Sequence, residues 1–139
     1  MKLLSILIPT VIGRESLFNA LYSDIVFQST DFSDEVEILF IKDNKEITTA
    51  KKRELLYSMA TGKYSVQIDD DDKLNENYVK TIIDVIKNND VDCITYNELC
   101  YFDGVEKYAN HSIENKVWRD GNKDDKFHFF RTPFYKDVI

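Results

Sequence analysis

Tyr64-Ser65-Val66-Gln67-Ile68-Asp69-Asp70-Asp71-Asp72 is a short strand-like run that stops on four consecutive carboxylates. Adjacent carboxylates repel, so four together cost stability unless some are protonated or a cation is bound. The whole chain of 139 residues carries a net charge of −7, and removing these four would leave −3 (−7 + 4). One strand end therefore makes over half of the charge imbalance. What precedes and follows this run decides the fold.

Upstream, 47–60 reads as a helix with Leu55, Leu56, Met59 and Ala60 apolar, and Gly62 is placed to end it in a left-handed cap. Downstream, Tyr78, Val79, Ile82, Ile83 and Ile86 follow the i, i+3, i+4 spacing of a buried helical stripe. Asn75 is a suitable N-cap there, Leu74 can staple onto Val79, and Glu76 and Lys87 complement the helix dipole.

Further out, Leu3 to Ile8 is a nearly continuous apolar run, as in a strand buried on both faces, with Pro9-Thr10 closing it. A helix over 14–27 presents Leu17, Ala20, Leu21 and Ile25 on one face. Val36 to Ile41 is a second strand and Val91 to Tyr96 a fourth. The order β-α-β-α-β-α-β predicts an α/β fold: an open, mostly parallel sheet with helices on both faces. After residue 97 the texture changes. Leu99 to Phe102 and Val105 to Tyr108 flank Asp103-Gly104, a hairpin signal. Residues 111–139 hold Trp118, Phe127, Phe129, Phe130, Phe134 and Tyr135 without a clear period, which predicts short strands and loops.

Several function classes fall away. Net negative charge argues against duplex nucleic acid, whose phosphates call for clustered Lys and Arg. The longest apolar stretches, five or six residues, are far short of a membrane span. No small-residue cleavage site follows the apolar N-terminus, so it is not read as a signal peptide. Cys93 and Cys100 are seven apart, which suits neither a zinc pair nor C-x-x-C and predicts reduced thiols in the cytoplasm. Glycines occur only at 13, 62, 104 and 121, which excludes G-x-G-x-x-G and Walker A loops. Any bound phosphate must then be held by a cation or by side chains.

Open parallel sheets bind ligands at the carboxyl ends of their strands. Those ends are Pro9-Thr10, Lys42-Asp43-Asn44, Asp69 to Asp72 and Asn97-Glu98, all polar and expected on one rim. Mg²⁺ or Mn²⁺ is typically held by one or two carboxylates and completed by water and substrate phosphates, which suits Asp-x-Asp at a strand end. An EF-hand reading fails, because Lys73, Leu74 and Lys80 stand where a ligand, Gly and Glu are required. A solvated acidic turn ahead of Asn75 is the plainer alternative.

Together, Ser5-Ile6-Leu7-Ile8-Pro9-Thr10, Glu37 to Asn44, Arg53 and Ala60-Thr61-Gly62-Lys63-Tyr64 running into the acidic quartet resemble the family-2 glycosyltransferases of the GT-A (Rossmann-like) fold. The likeness covers about residues 3–97. It implies one GT-A-like domain, with 1–97 as the nucleotide-sugar-binding half and 98–139 as an incomplete acceptor-side half. It implies a nucleoside diphosphate sugar donor, UDP- or GDP-linked, and Mn²⁺ or Mg²⁺ as cofactor. Pro9 and Thr10 would line the base pocket, Asp43 would accept from the base, and Arg53 would contact base or phosphate. Asp71 and Asp69 would hold the metal, with Asp69 or Asp70 on the ribose. Without the resemblance, Thr10 is equally a strand-end cap, Asp43-Asn44 a turn, and Arg53 or Arg14 a solvated helix charge.

The chain departs from the family's pattern in two places. Glu54 stands where Asn usually follows the Arg, and Lys42-Asp43-Asn44-Lys45 is an atypical loop. An inverting transferase also needs a carboxylate to deprotonate its acceptor, which the family places in an acidic pair. No Glu-Asp pair follows Asp72, and Asp120, Asp124, Asp125 and Asp137 remain as candidates, with His111 and His128 as further metal ligands. The expectation is a donor-binding part of a glycosyltransferase with an unidentified sugar, lipid-linked or protein acceptor. The alternative is a non-catalytic nucleotide-sugar-binding or assembly module.

Overall fold

The computed structural model describes residues 1–110 and 128–130. Two compact units form, Met1–Asp90 and Val91–Ile139. The first contains strands β1 (Leu4–Val11), β2 (Val36–Asp43) and β3 (Tyr64–Gln67) and helices α1 (Glu15–Gln28), α2 (Thr49–Met59) and α3 (Tyr78–Asn88). All strand pairing in this unit is parallel, in the order β2-β1-β3. The central strand is buried from Leu4 through Thr10, as its continuous apolar run predicts.

The crossover from β1 goes out to β2 and the next returns past β1 to β3. Right-handed connections then put successive helices on opposite faces. Side-chain alternation agrees. Ile8, Thr10 and Phe40 lie on the α1 face, where the Phe40 ring meets that of Phe18 at 4.9 Å. Ser5, Leu7 and Gln67 lie on the α2 face, where Gln67 Nε2 donates to the Arg53 carbonyl at 3.3 Å. Helix α3 packs beside α1 with Val79, Ile82, Ile83 and Ile86 buried, the stripe its periodicity predicts.

Several local expectations are corrected. Pro9 does not end β1, which continues to Val11. Pro9 has the parity of Leu7, whose carbonyl takes the Ile68 N–H of the β3 side, and β3 pairs with β1 only as far as Leu7. The missing N–H of proline thus falls past the ladder, where none is needed. On α1, Leu21 and Ile25 are buried, but Leu17 is 45% exposed and Ala20 is exposed. Phe18 and Tyr22, both half-buried, also face the sheet, stacking at 5.4 Å beside Phe40, which stays exposed. On α2 only Leu56 of the expected apolar set is buried, while Leu55 and Met59 are exposed.

Gly62 does not have a positive φ. Its lack of a side chain serves close approach: a Cβ there would lie 2.6 Å from Ser5 Oγ and 2.7 Å from Ser5 N. Asn75 does not cap α3, which begins at Tyr78; its Oδ1 accepts from Asn77 N at 2.9 Å. Gln28 of α1 supplies the cap from outside, accepting from Val79 N at 3.1 Å and donating to the Asn75 carbonyl at 3.0 Å.

The second unit contains β4 (Glu98–Phe102), β5 (Val105–Asn110) and β6 (His128–Phe130), in the order β4-β5-β6. The hairpin at Asp103-Gly104 forms as predicted, with φ of 50° and 79° that suit a two-residue turn. Val91 to Tyr96 is not a strand, so the expected fourth strand of the parallel sheet is not formed by this segment. Cys93 and Cys100 are not joined in a disulfide. Among the described residues, no helix is long and apolar enough to cross a membrane.

Candidate functional site

The carboxyl ends of three parallel strands meet at one edge of the first unit. Central β1 ends in Thr10 and Val11, β2 in Lys42 and Asp43, and β3 leads through Ile68 into the acidic quartet. Strand alternation persists past the end of β3 and divides the acids. Asp70 turns to the α1 face and is 6% exposed. Asp69 turns to the α2 face and is half exposed.

Asp70 is held by residues from far along the chain. Thr10 Oγ1 donates to Oδ2 at 2.8 Å, Arg14 Nε donates to the same oxygen at 2.8 Å, and Arg14 Nη2 donates to Oδ1 at 2.6 Å. The Arg14 guanidinium and the Thr10 hydroxyl hold this carboxyl below the usual aspartate range against the opposing effect of burial. Arg14 Nη2 also lies 3.3 Å from Asp71, whose side chain is 57% exposed. On the opposite face, Arg53 Nη2 donates to Asp69 Oδ1 at 2.7 Å. The turn closes on itself as Asp72 N donates to the Asp69 carbonyl at 3.1 Å.

Two guanidinium groups of the chain itself thus pair with three of the four carboxylates, Asp69, Asp70 and Asp71. Arg14, expected as a solvated helix charge, instead forks onto Asp70. Arg53 pairs with Asp69 through Nη2 alone, and its buried Nε has no hydrogen-bond partner. Asp69 and Asp71, expected together on one cation, take guanidinium groups from opposite faces of the sheet.

The second cluster lies beneath the ends of β1 and β2. Lys52 of α2 is 2% exposed, and its Nζ donates to the Thr10 carbonyl at 3.1 Å and to Asp43 Oδ1. Asp43 Oδ2 accepts from Ile47 N at 2.9 Å. Lys52 first and the Ile47 N–H second draw the Asp43 carboxyl below its usual value. Helix α2 is set for this contact by Thr48, whose side chain caps it through Lys51 N at 3.1 Å.

Of the residues singled out in the sequence, Thr10, Asp43, Arg53, Asp69, Asp70 and Asp71 all stand at this edge, and Pro9 is buried within β1 just behind it. Lys52 was missed because a lysine in a polar helix reads as solvated. The one available signal was its place one turn before Leu56, the buried position of the same helix face. A groove of about 250 Å³ runs alongside, between Leu17, Ala20 and Leu21 of α1 and residues 70–74. Asp120, Asp124, Asp125, Asp137, His111, Trp118, Phe127, Phe134 and Tyr135 lie outside the described residues.

A scan against protein-family models, a search of curated proteins and a search of solved structures each returned no match for this chain.

Proposed function

We propose that this chain binds a nucleoside diphosphate sugar at the carboxyl edge of β2-β1-β3 and is the donor-binding part of a family-2 glycosyltransferase. One observation carries the reading. The first crossover runs from β1 out to β2 and the second from β2 back past β1 to β3, so the winding reverses between β1 and β3; that makes their carboxyl ends a topological switch point, and the polar strand ends Thr10, Asp43 and Asp69 to Asp71 gather there. Ligands of open α/β sheets bind at such points. The base would dock at Thr10 and Asp43 with Pro9 behind them, the ribose near Asp69 or Asp70, and the phosphates near Arg53, Asp69 and Asp71.

The donor set suits Mn²⁺ or Mg²⁺ shared with a substrate. Asp71 and Asp69 are both about half exposed, and among the described residues no group of three ligands forms a dedicated cage. A cation bound there would offset charge on the leaving diphosphate. This chain's own part is to present the two carboxylates, which a shared cation would have to draw from their guanidinium partners, and to keep Asp70 and Thr10 fixed between them. Transfer to an acceptor hydroxyl also needs a base, which the described residues do not identify. The reduced thiols Cys93 and Cys100 support a cytoplasmic setting.

Calorimetry with UDP and GDP, each with and without Mn²⁺, tests the reading. Wild type binds at least one of them better with Mn²⁺, and Asp71→Ala loses about tenfold or more of that gain. Absence of metal-dependent nucleotide binding overturns it. The second reading, a binding or assembly module without transfer, is favoured by the guanidinium groups already paired with the quartet; detectable donor hydrolysis or transfer argues against it.

A further inference from the structure

We propose that Lys52 is the positioning residue for the base end of this site: it fixes the Asp43 carboxylate and the Thr10 carbonyl as one preformed face for a nucleoside base. The inference rests on the nucleotide-binding reading above and names the part of the chain that would select the base.

A lysine this buried is rare unless it is paired and hydrogen-bonded. Lys52 meets that condition with groups from two neighbouring strands, the Thr10 carbonyl of β1 and the Asp43 carboxylate at the end of β2. The adjacent register pairs Thr10 with Lys42 and Val11 with Asp43 bring these groups side by side. Asp43 is gripped from two directions, by Lys52 on Oδ1 and by Ile47 N on Oδ2, so its plane is set before a ligand arrives. Its side chain is nonetheless 13% exposed, and each carboxylate oxygen has more than one acceptor direction. An ionised carboxylate only accepts, so it matches a base edge presenting an N–H, such as uracil N3–H or guanine N1–H.

Lys52 makes no hydrogen bond to the acids of the phosphate end, where Arg14 pairs with Asp70 and Asp71 and Arg53 with Asp69; it reaches Asp70 only through space, behind Arg14 and Thr10. Loss of Lys52 leaves Asp43 without its ionic partner and free to turn away or take up a proton. Binding then loses its preorganisation at the base and keeps it at the phosphates.

The test is calorimetry on the full chain with Mn²⁺ and three probes: UDP, GDP and inorganic pyrophosphate, which lacks a base. Lys52→Met weakens binding of the preferred nucleotide roughly tenfold or more, with pyrophosphate affinity kept within about twofold. Lys52→Met/Asp43→Asn strands no carboxylate charge and serves should Lys52→Met not fold: its nucleotide loss equals that of Asp43→Asn alone, because Lys52 acts through Asp43, and a further loss beyond Asp43→Asn overturns the inference. Parallel weakening of nucleotide and pyrophosphate, or no change in either, overturns the inference. Wild-type binding of pyrophosphate without any nucleotide preference overturns it while leaving a metal–phosphate site. Failure of wild type to bind any probe removes the nucleotide-binding reading and this inference with it.

Discussion

Gly62 shows how one missing side chain organises the amino end of the sheet. Ser5 Oγ accepts from Gly62 N at 2.8 Å and donates to Glu37, which also accepts from Thr61 N. Three segments are drawn together there because nothing projects from Gly62. Its φ is not positive, so the cost of a substitution is steric. Backbone atoms make up two of the three nearest contacts, which limits relief by side-chain movement. Gly62→Ala is expected to lower stability by about 1–3 kcal/mol in urea unfolding, the range for overpacking. An unchanged midpoint would show that the loop moves aside freely.

At the scale of elements, Gln28 ties the end of α1 to the start of α3. Its carboxamide covers one of the N–H groups that a helix start leaves without a partner. Gln28→Leu keeps the bulk and removes both of these hydrogen bonds together with those that Nε2 donates to Asp24 at 3.2 Å. The expected cost is about 1 kcal/mol, with faster amide hydrogen exchange at Val79 and its neighbours and little change across β1. Helix α3 itself was legible in the sequence because four isoleucine and valine positions repeat with the helical period. Its cap was not, because Gln28 is 51 residues away from Val79. The same limit applies to the site. Strand ends and acids are local and could be read. Which acid is buried depends on Arg14 and Thr10, and the burial of Lys52 on Thr10 and Asp43. The segment Val91 to Tyr96 has strand-forming residues, yet a strand exists only where a neighbour accepts its ladder.

For the whole molecule, the two views of the acidic edge differ in the sign of the pH response. Four repelling carboxylates would be relieved by acid. Carboxylates already paired lose their partners' contribution. The folded chain holds Asp43, Asp70 and Glu37 below their usual values, Glu37 against burial through Ser5 and Thr61. Glu15 is drawn to about 2 by its own N–H, that of Gly13, and Lys42. A folded value below the unfolded one means that the native state binds fewer protons. This stabilisation is complete above the unfolded values, near 4, and is lost as pH falls through them toward the folded ones. The urea midpoint should stay level from about pH 7 to 5 and drop below about 4, with Asp70→Asn flattening the drop. A midpoint that rises on acidification would restore the repulsion view.

The fork from Arg14 to Asp70 also bears on how the chain reaches this state. Contacts between β1 and β2 such as Ser5 to Glu37 span 32 residues, whereas Thr10 to Asp70 spans 60. Closing the longer loop costs about 0.6 kcal/mol more in chain entropy, and parallel pairings of long sequence separation form slowly. The chain therefore tends to join β1 to β2 first and to seat β3 afterwards. Until β3 docks, the quartet hangs together, unsplit and without its guanidinium partners. On this order the acidic edge is expected to take shape late in folding, in the same step that completes the sheet.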